Sequence, residues 1–215
     1  KLVGRTHDRK RLLERLVGAL SSESGLILTL EGQAGFGKST LARWLGEELA
    51  ESSGVRVVHG AFHREGERGL RGLRDAVESL LDIRGLDTTR VVSRTTDLMA
   101  EWDMAEPRDH AMLVQFLRPA VAGSEGSEDM AGERLFELLY RVLDAASAAQ
   151  PTLLVLDDVQ WAGRAMAAFL EYAATEMALR TARWATLATV QVADADDPAV
   201  EAMPRNLSRY EGVAV

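Results

Sequence analysis

Two short stretches of this sequence place residues of chemically useful type at a spacing that allows them to act together. The first, Gly32-Gln33-Ala34-Gly35-Phe36-Gly37-Lys38-Ser39, satisfies the pattern G-x-x-x-x-G-K-[ST] and is followed by Thr40. Glycines at 32, 35 and 37 let the backbone curl so that successive N–H groups point inward. At the positive end of a following helix such a nest attracts phosphate. Lys38 brings a compact full charge suited to β- and γ-phosphates, Ser39 a hydroxyl for Mg²⁺, and Thr40 a hydroxyl for an α-phosphate. The second stretch is the apolar run Leu153-Leu154-Val155-Leu156, which leads straight into Asp157-Asp158. A carboxylate at the tip of a buried strand is costly unless a cation or a set of donors satisfies it. Asp157 is therefore the candidate for the Mg²⁺ shell. Asp158, with Lys38, is the candidate for catalysis, placed to polarise a water for attack on a γ-phosphate. Together the two stretches describe a site for ATP or ADP with Mg²⁺.

The elements that must position these residues can be read from hydrophobic periodicity. Leu12, Leu13, Leu16, Val17 and Leu20 fall on one face of a helix spanning about 6–20. Leu26 to Leu30 is a nearly continuous apolar run, as expected of a strand buried on both faces of a parallel sheet. The glycine loop follows at once, and then a helix from Ser39 to Glu51 with Leu41, Ala42, Leu45 and Leu49 inward. Val55–Val58 is a second strand. From Phe62 to Gln150 the pattern is helical, over Leu70–Leu81, Val91–Trp102, His110–Val121 and Glu133–Ala148, with the polar stretch Gly123–Asp129 expected to be a mobile loop. Leu153–Leu156 is the third strand, Arg164–Leu179 a helix and Ala185–Val190 the fourth strand. Strands alternating with helices predict an α/β fold of three layers. Its parallel sheet is covered on both faces, and a helical insertion lies between the second and third strands. Ligands in such sheets bind beyond the carboxyl ends of the strands, where both chemical stretches fall.

Composition narrows the function classes. A length of 215 residues suits one domain, taken as 1–215. The absence of cysteine removes disulfides and thiolate chemistry, and His59 and His63 lack a third ligand for zinc. A net charge of −8 is the wrong sign for direct nucleic-acid binding. No apolar run spans a bilayer and no signal peptide opens the chain, so a cytoplasmic location without membrane contact is expected. The chain starts at Lys1 and stops in the apolar Gly212-Val213-Ala214-Val215, which reads as a piece of a longer multidomain protein.

Val3-Gly4-Arg5, the amphipathic helix after it, the glycine loop, Glu133-Arg134-Leu135-Phe136 and above all Leu156-Asp157-Asp158-Val159-Gln160-Trp161-Ala162 resemble the AAA-type ATPase domains of STAND signalling proteins, within the P-loop NTPase superfamily. The resemblance implies that Val3, Gly4 and Arg5 lie against adenine and ribose. It also implies that a residue just after the fourth strand, here Gln191, senses the γ-phosphate, and that Trp161 packs behind the acidic pair. Such modules act as nucleotide-dependent switches with slow ATP hydrolysis, partnered by other domains of the same chain and by further copies on activation. The sequence departs from the family at Gly163, where an acidic residue is common, and at Gln191, where an arginine is common. The helical lid and the sensor domains of the family are absent from it. Two other functions fit the residues. One is a scaffold that binds nucleotide without hydrolysing it. The other is a small-molecule phosphotransferase, with Arg64, Arg68, Arg71 and Arg74 as its acceptor pocket.

Overall fold

The computed structural model describes residues 6–65, 69–119, 132–195 and 197–208. Val3, Gly4, Arg5, Arg68 and the Gly123–Asp129 loop lie outside the described residues.

Among the described residues, four strands form one sheet: β1 (Ser24–Glu31), β2 (Arg56–Ala61), β3 (Thr152–Asp157) and β4 (Ala182–Val190), in the spatial order β1-β4-β3-β2. Every neighbouring pair is parallel. Each strand is short and apolar because helices cover both of its faces, and successive side chains serve opposite layers. Leu28 and Leu30 of β1, Leu153 and Val155 of β3, and Ala185 and Leu187 of β4 pack with the leucines of α1 (Thr6–Ser21) and α2 (Lys38–Ser53). Ile27, Leu154, Leu156, Trp184, Ala188 and Val190 face the other way. There they meet α3 (Arg71–Leu80), α6 (Glu133–Ser147), α7 (Arg164–Leu179) and α8 (Pro198–Leu207), and α4 (Thr88–Glu101) and α5 (Pro107–Leu117) extend the same core through those helices. Among the described residues, four of these helices, α3 to α6, lie between β2 and β3 in the chain.

Two elements differ from the sequence reading. Helix α5 ends at Leu117 rather than continuing to Val121, and Arg118 already has φ −132° and ψ 71°. Pro119 explains this, since a residue before proline is pushed out of the helical region. Helix α8 is additional. Asp197 caps it by accepting the N–H of Ala199 at 2.8 Å, and Pro198 fills the first turn, where a missing N–H costs nothing.

One contact seats the second strand. An ideal Cβ on Gly60 would lie 1.9 Å from the carbonyl oxygen of Gly72, so β2 and the start of α3 touch backbone to backbone. Only glycine permits that approach.

Candidate functional site

The glycine loop joins the carboxyl end of β1 to the amino end of α2. Gly35 and Gly37 have φ of 78° and 77°, in the left-handed region where side chains are strained. A Cβ on either glycine would meet no atom within 4 Å, so the curled loop borders open space. Gly37 caps α2 with no side-chain hydrogen bond, which leaves the N–H groups of the first turn, Lys38 to Thr40, as donors for an anion. Lys38 is only 8% exposed, and its ammonium donates to the carbonyls of Gly32 at 2.7 Å and Gln33 at 3.0 Å. Those bonds hold a buried charge inside the concave side of the loop. Phe36, by contrast, turns outward and is 58% exposed.

The acidic pair is brought to the same place by β3. Ser39 Oγ donates to Asp157 Oδ1 at 2.8 Å, and the hydroxyl of Thr189 on β4 donates to the same oxygen. Thr189 Oγ1 in turn accepts the N–H of Asp158 at 2.9 Å. One threonine thus orients both members of the pair. Asp158 is left-handed at φ 59°, a conformation that aspartate tolerates better than most residues. Its Oδ1 accepts from Gln160 Nε2 at 2.8 Å, while Gln160 Oε1 accepts the backbone N–H of Gln191 at 2.9 Å.

Two titratable groups border this arrangement with shifted equilibria. Burial raises the carboxyl of Glu31, just before the loop, above its ordinary value, against an opposing pull from Arg205. Burial also lowers His59 of β2, helped by the charge of Arg43 and opposed by Asp157.

Between the glycine loop and the acidic segment lies an open cleft of ≈ 470 Å³. Ala34, Gly35, Gly37, Lys38, Ser39 and Thr40 form its floor, and Asp158, Gln160, Trp161, Gln191 and Asp194 form its wall. Gly32, Gln33 and Phe36 complete the loop, and Asp157 stands behind Ser39. A larger cavity of ≈ 600 Å³ opens at the opposite end of the sheet, beside Ser24, Gly25 and Met177. It lies at the amino ends of the strands, away from the carboxyl ends where parallel sheets bind ligands.

The structure adds residues that the sequence reading did not single out. Thr189 looks like any β-branched strand residue until its register beside Asp157 is known. Gln160 is legible as part of a motif but not as a bridge. Trp161, expected behind the acidic pair, lines the cleft as well as packing against the core. Of the arginines proposed as an acceptor pocket, Arg64 and Arg74 diverge. Arg74 donates to the carbonyl of Phe116 at 2.7 Å, whereas Arg64 lies over the ring of Trp161.

The donor set fits a phosphorylated ligand and a hard cation. Uncapped helix N–H groups and a buried ammonium suit phosphate, and oxygen-only donors from Ser39 and Asp157 suit Mg²⁺. Among the described residues no group of three or more His, Asp or Glu side chains could hold a metal alone. Mg²⁺ is commonly held by one or two carboxylates together with substrate phosphates.

A parallel sheet with a strand–glycine loop–helix cradle and an acidic strand tip facing it defines a P-loop NTPase fold. Within that class, the model of the AAA ATPase domain family matches residues 1–187, and the chain belongs to that family. No curated protein matches the chain significantly. Membership implies a domain that binds and hydrolyses nucleotide. Among the described residues, no helix is long and apolar enough to cross a membrane.

Proposed function

We propose that this domain binds ATP and ADP with Mg²⁺, hydrolyses ATP slowly, and serves as the nucleotide-dependent switch of a STAND-type signalling protein in the cytoplasm. The observation that carries this reading is the convergence of Ser39 and Thr189 on one oxygen of Asp157, which joins the glycine loop to the strand tips. A ligand that repositions Ser39 must disturb β4 and Asp158 as well. Lys38, Ser39, Thr40 and the loop N–H groups would hold the phosphates, and Ser39 with Asp157 the Mg²⁺. When bound, Mg²⁺ neutralises charge on the β- and γ-phosphates. Asp158, oriented through Oδ1 by Gln160, would take a proton from water at Oδ2. Val3, Gly4 and Arg5 would contact adenine and ribose. The output is an altered arrangement of other domains of the same longer chain, or of further copies of it, rather than a released metabolite. Nucleic acid and membrane are not partners of this domain.

A binding-only scaffold is the second reading, favoured by the uncharged Gln191 at the cleft wall. A phosphotransferase fits less well because Arg64 and Arg74 diverge. Titration calorimetry with ATP and ADP on folded Lys38→Ala protein tests the assignment. The charge facing the phosphates is lost in that variant, so most affinity should go with it. Unchanged affinity would refute the site.

A further inference from the structure

The loop between β2 and α3 is fastened to the acidic segment on both sides of Arg64. Before it, the N–H of Phe62 donates to the carbonyl of Asp157 at 3.0 Å. After it, the N–H of Gly69 donates to the carbonyl of Ala162 at 2.6 Å. Between these anchors the guanidinium of Arg64 lies 5.3 Å from the centroid of Trp161, the tryptophan that lines the cleft.

The charges lining the cleft show what this arginine could serve. Among the described residues that line the cleft, Lys38 is the single cation, against the carboxylates of Asp158 and Asp194. Two donors of Lys38 are already engaged with the carbonyls of Gly32 and Gln33. A nucleoside triphosphate brings more negative charge than a diphosphate, at the phosphate furthest along the cleft, and the lining residues do not balance it. Arg64 itself is exposed. In water a guanidinium holds an aromatic face weakly, whereas a phosphate offers it short, bidentate, charge-assisted bonds. Two other arginines have partners elsewhere: Arg164 faces Asp197 at 4.0 Å, and Arg74 donates to the carbonyl of Phe116.

We propose that Arg64, parked on Trp161 by its own loop, reads the terminal phosphate of a bound nucleoside triphosphate and so distinguishes triphosphate from diphosphate. The proposal rests on the nucleotide reading of the cleft. The arriving phosphate draws the guanidinium off the ring, so Trp161 reports the event.

The test is calorimetric titration of wild type, Arg64→Ala and Arg64→Lys with Mg·ATP and Mg·ADP, alongside tryptophan emission, with Trp161→Phe assigning the signal. Arg64→Ala should weaken ATP on the order of tenfold or more while leaving ADP unchanged. Arg64→Lys should recover part of that loss. ATP, but not ADP, should alter Trp161 emission, and Arg64→Ala should abolish the difference. A loss of both affinities in equal measure, or of neither, overturns the role of Arg64 even though the nucleotide site stands. A wild-type chain that binds neither nucleotide overturns the nucleotide reading itself, and this proposal with it.

Discussion

The side-chain amide of Gln160 spans from the carboxylate of Asp158 to the backbone of Gln191, with bonds of 2.8 Å and 2.9 Å. The backbone N–H of Gln191 can only donate, so it fixes which end of the amide is oxygen. The other end must then be the N–H₂ group, and it faces Asp158. A residue that is 4% exposed thus ties the exit of β4 to the proposed catalytic carboxylate. Gln160→Glu would keep the bond to Gln191 but set a second carboxylate against Asp158. Single-turnover hydrolysis should fall on the order of a hundredfold, with ATP affinity little changed. Gln160→Leu instead leaves the half-buried Gln191 N–H without its partner, which costs about 1 kcal/mol. For a chain of this size, thermal unfolding should drop by about 2–4 °C for each kcal/mol lost.

The two aspartates should separate binding from chemistry. Asp158→Asn keeps the shape of the side chain but not its ability to take a proton, so Mg·ATP binding should persist while turnover is lost. Asp157→Ala removes the acceptor on which Ser39 and Thr189 converge, and it should weaken the Mg²⁺ dependence of nucleotide affinity. Titrations with and without Mg²⁺ measure both. Equal loss of binding in the two variants would end this division of labour.

Gly60→Ala tests the backbone contact beneath the site. Its Cβ would lie 1.9 Å from a carbonyl oxygen, with no flexible side chain able to move aside. Either β2 or α3 must shift, and β2 pairs with β3 up to Asp157. Destabilisation above about 3 kcal/mol is expected, measured by denaturant unfolding, because overpacking against rigid backbone lies in the severe tail of single substitutions. Gly35→Ala would meet no atom within 4 Å, yet its φ of 78° makes it strained too, by a smaller margin of about 1–2 kcal/mol.

Much of this was legible because the local physics left few alternatives. A strand buried on both faces must be nearly all apolar, and Leu26–Leu30 and Leu153–Leu156 are. A phosphate nest needs its glycines and its helix start, and residues 32–39 supply both. What stayed hidden depends on register between distant segments. Thr189 fits β4 by propensity alone, and only the pairing of β3 with β4 sets it beside Asp157. Arg64 looked like one of several arginines until the anchoring of its loop put it on Trp161. Helix α8 was masked by Pro198 and Pro204, which read as loop signals although the first sits harmlessly in the opening turn.

Gln191 gives the sharpest test of how much chemistry the cleft can support. It lines the same cleft as Asp158, Gln160, Lys38 and Ser39. Its backbone N–H is what Gln160 grips, so a substitution at 191 leaves that bridge intact. Glutamine can donate a hydrogen bond to a phosphate but supplies no charge. Phosphoryl-transfer sites act mainly by stabilising charge on the transferring group, and an arginine finger is worth on the order of a thousandfold or more in rate. With no cation at position 191, the wild-type domain should hydrolyse slowly even where Arg64 engages the terminal phosphate of the bound triphosphate. Gln191→Arg should raise the single-turnover rate by at least about tenfold, since one fixed donor in such a site contributes that much or more. It should also widen the preference for ATP over ADP. Rapid-quench hydrolysis with paired ATP and ADP titrations measures both quantities. A wild-type domain that is already fast, with no gain in rate or discrimination from the arginine, would show that position 191 does not face the terminal phosphate.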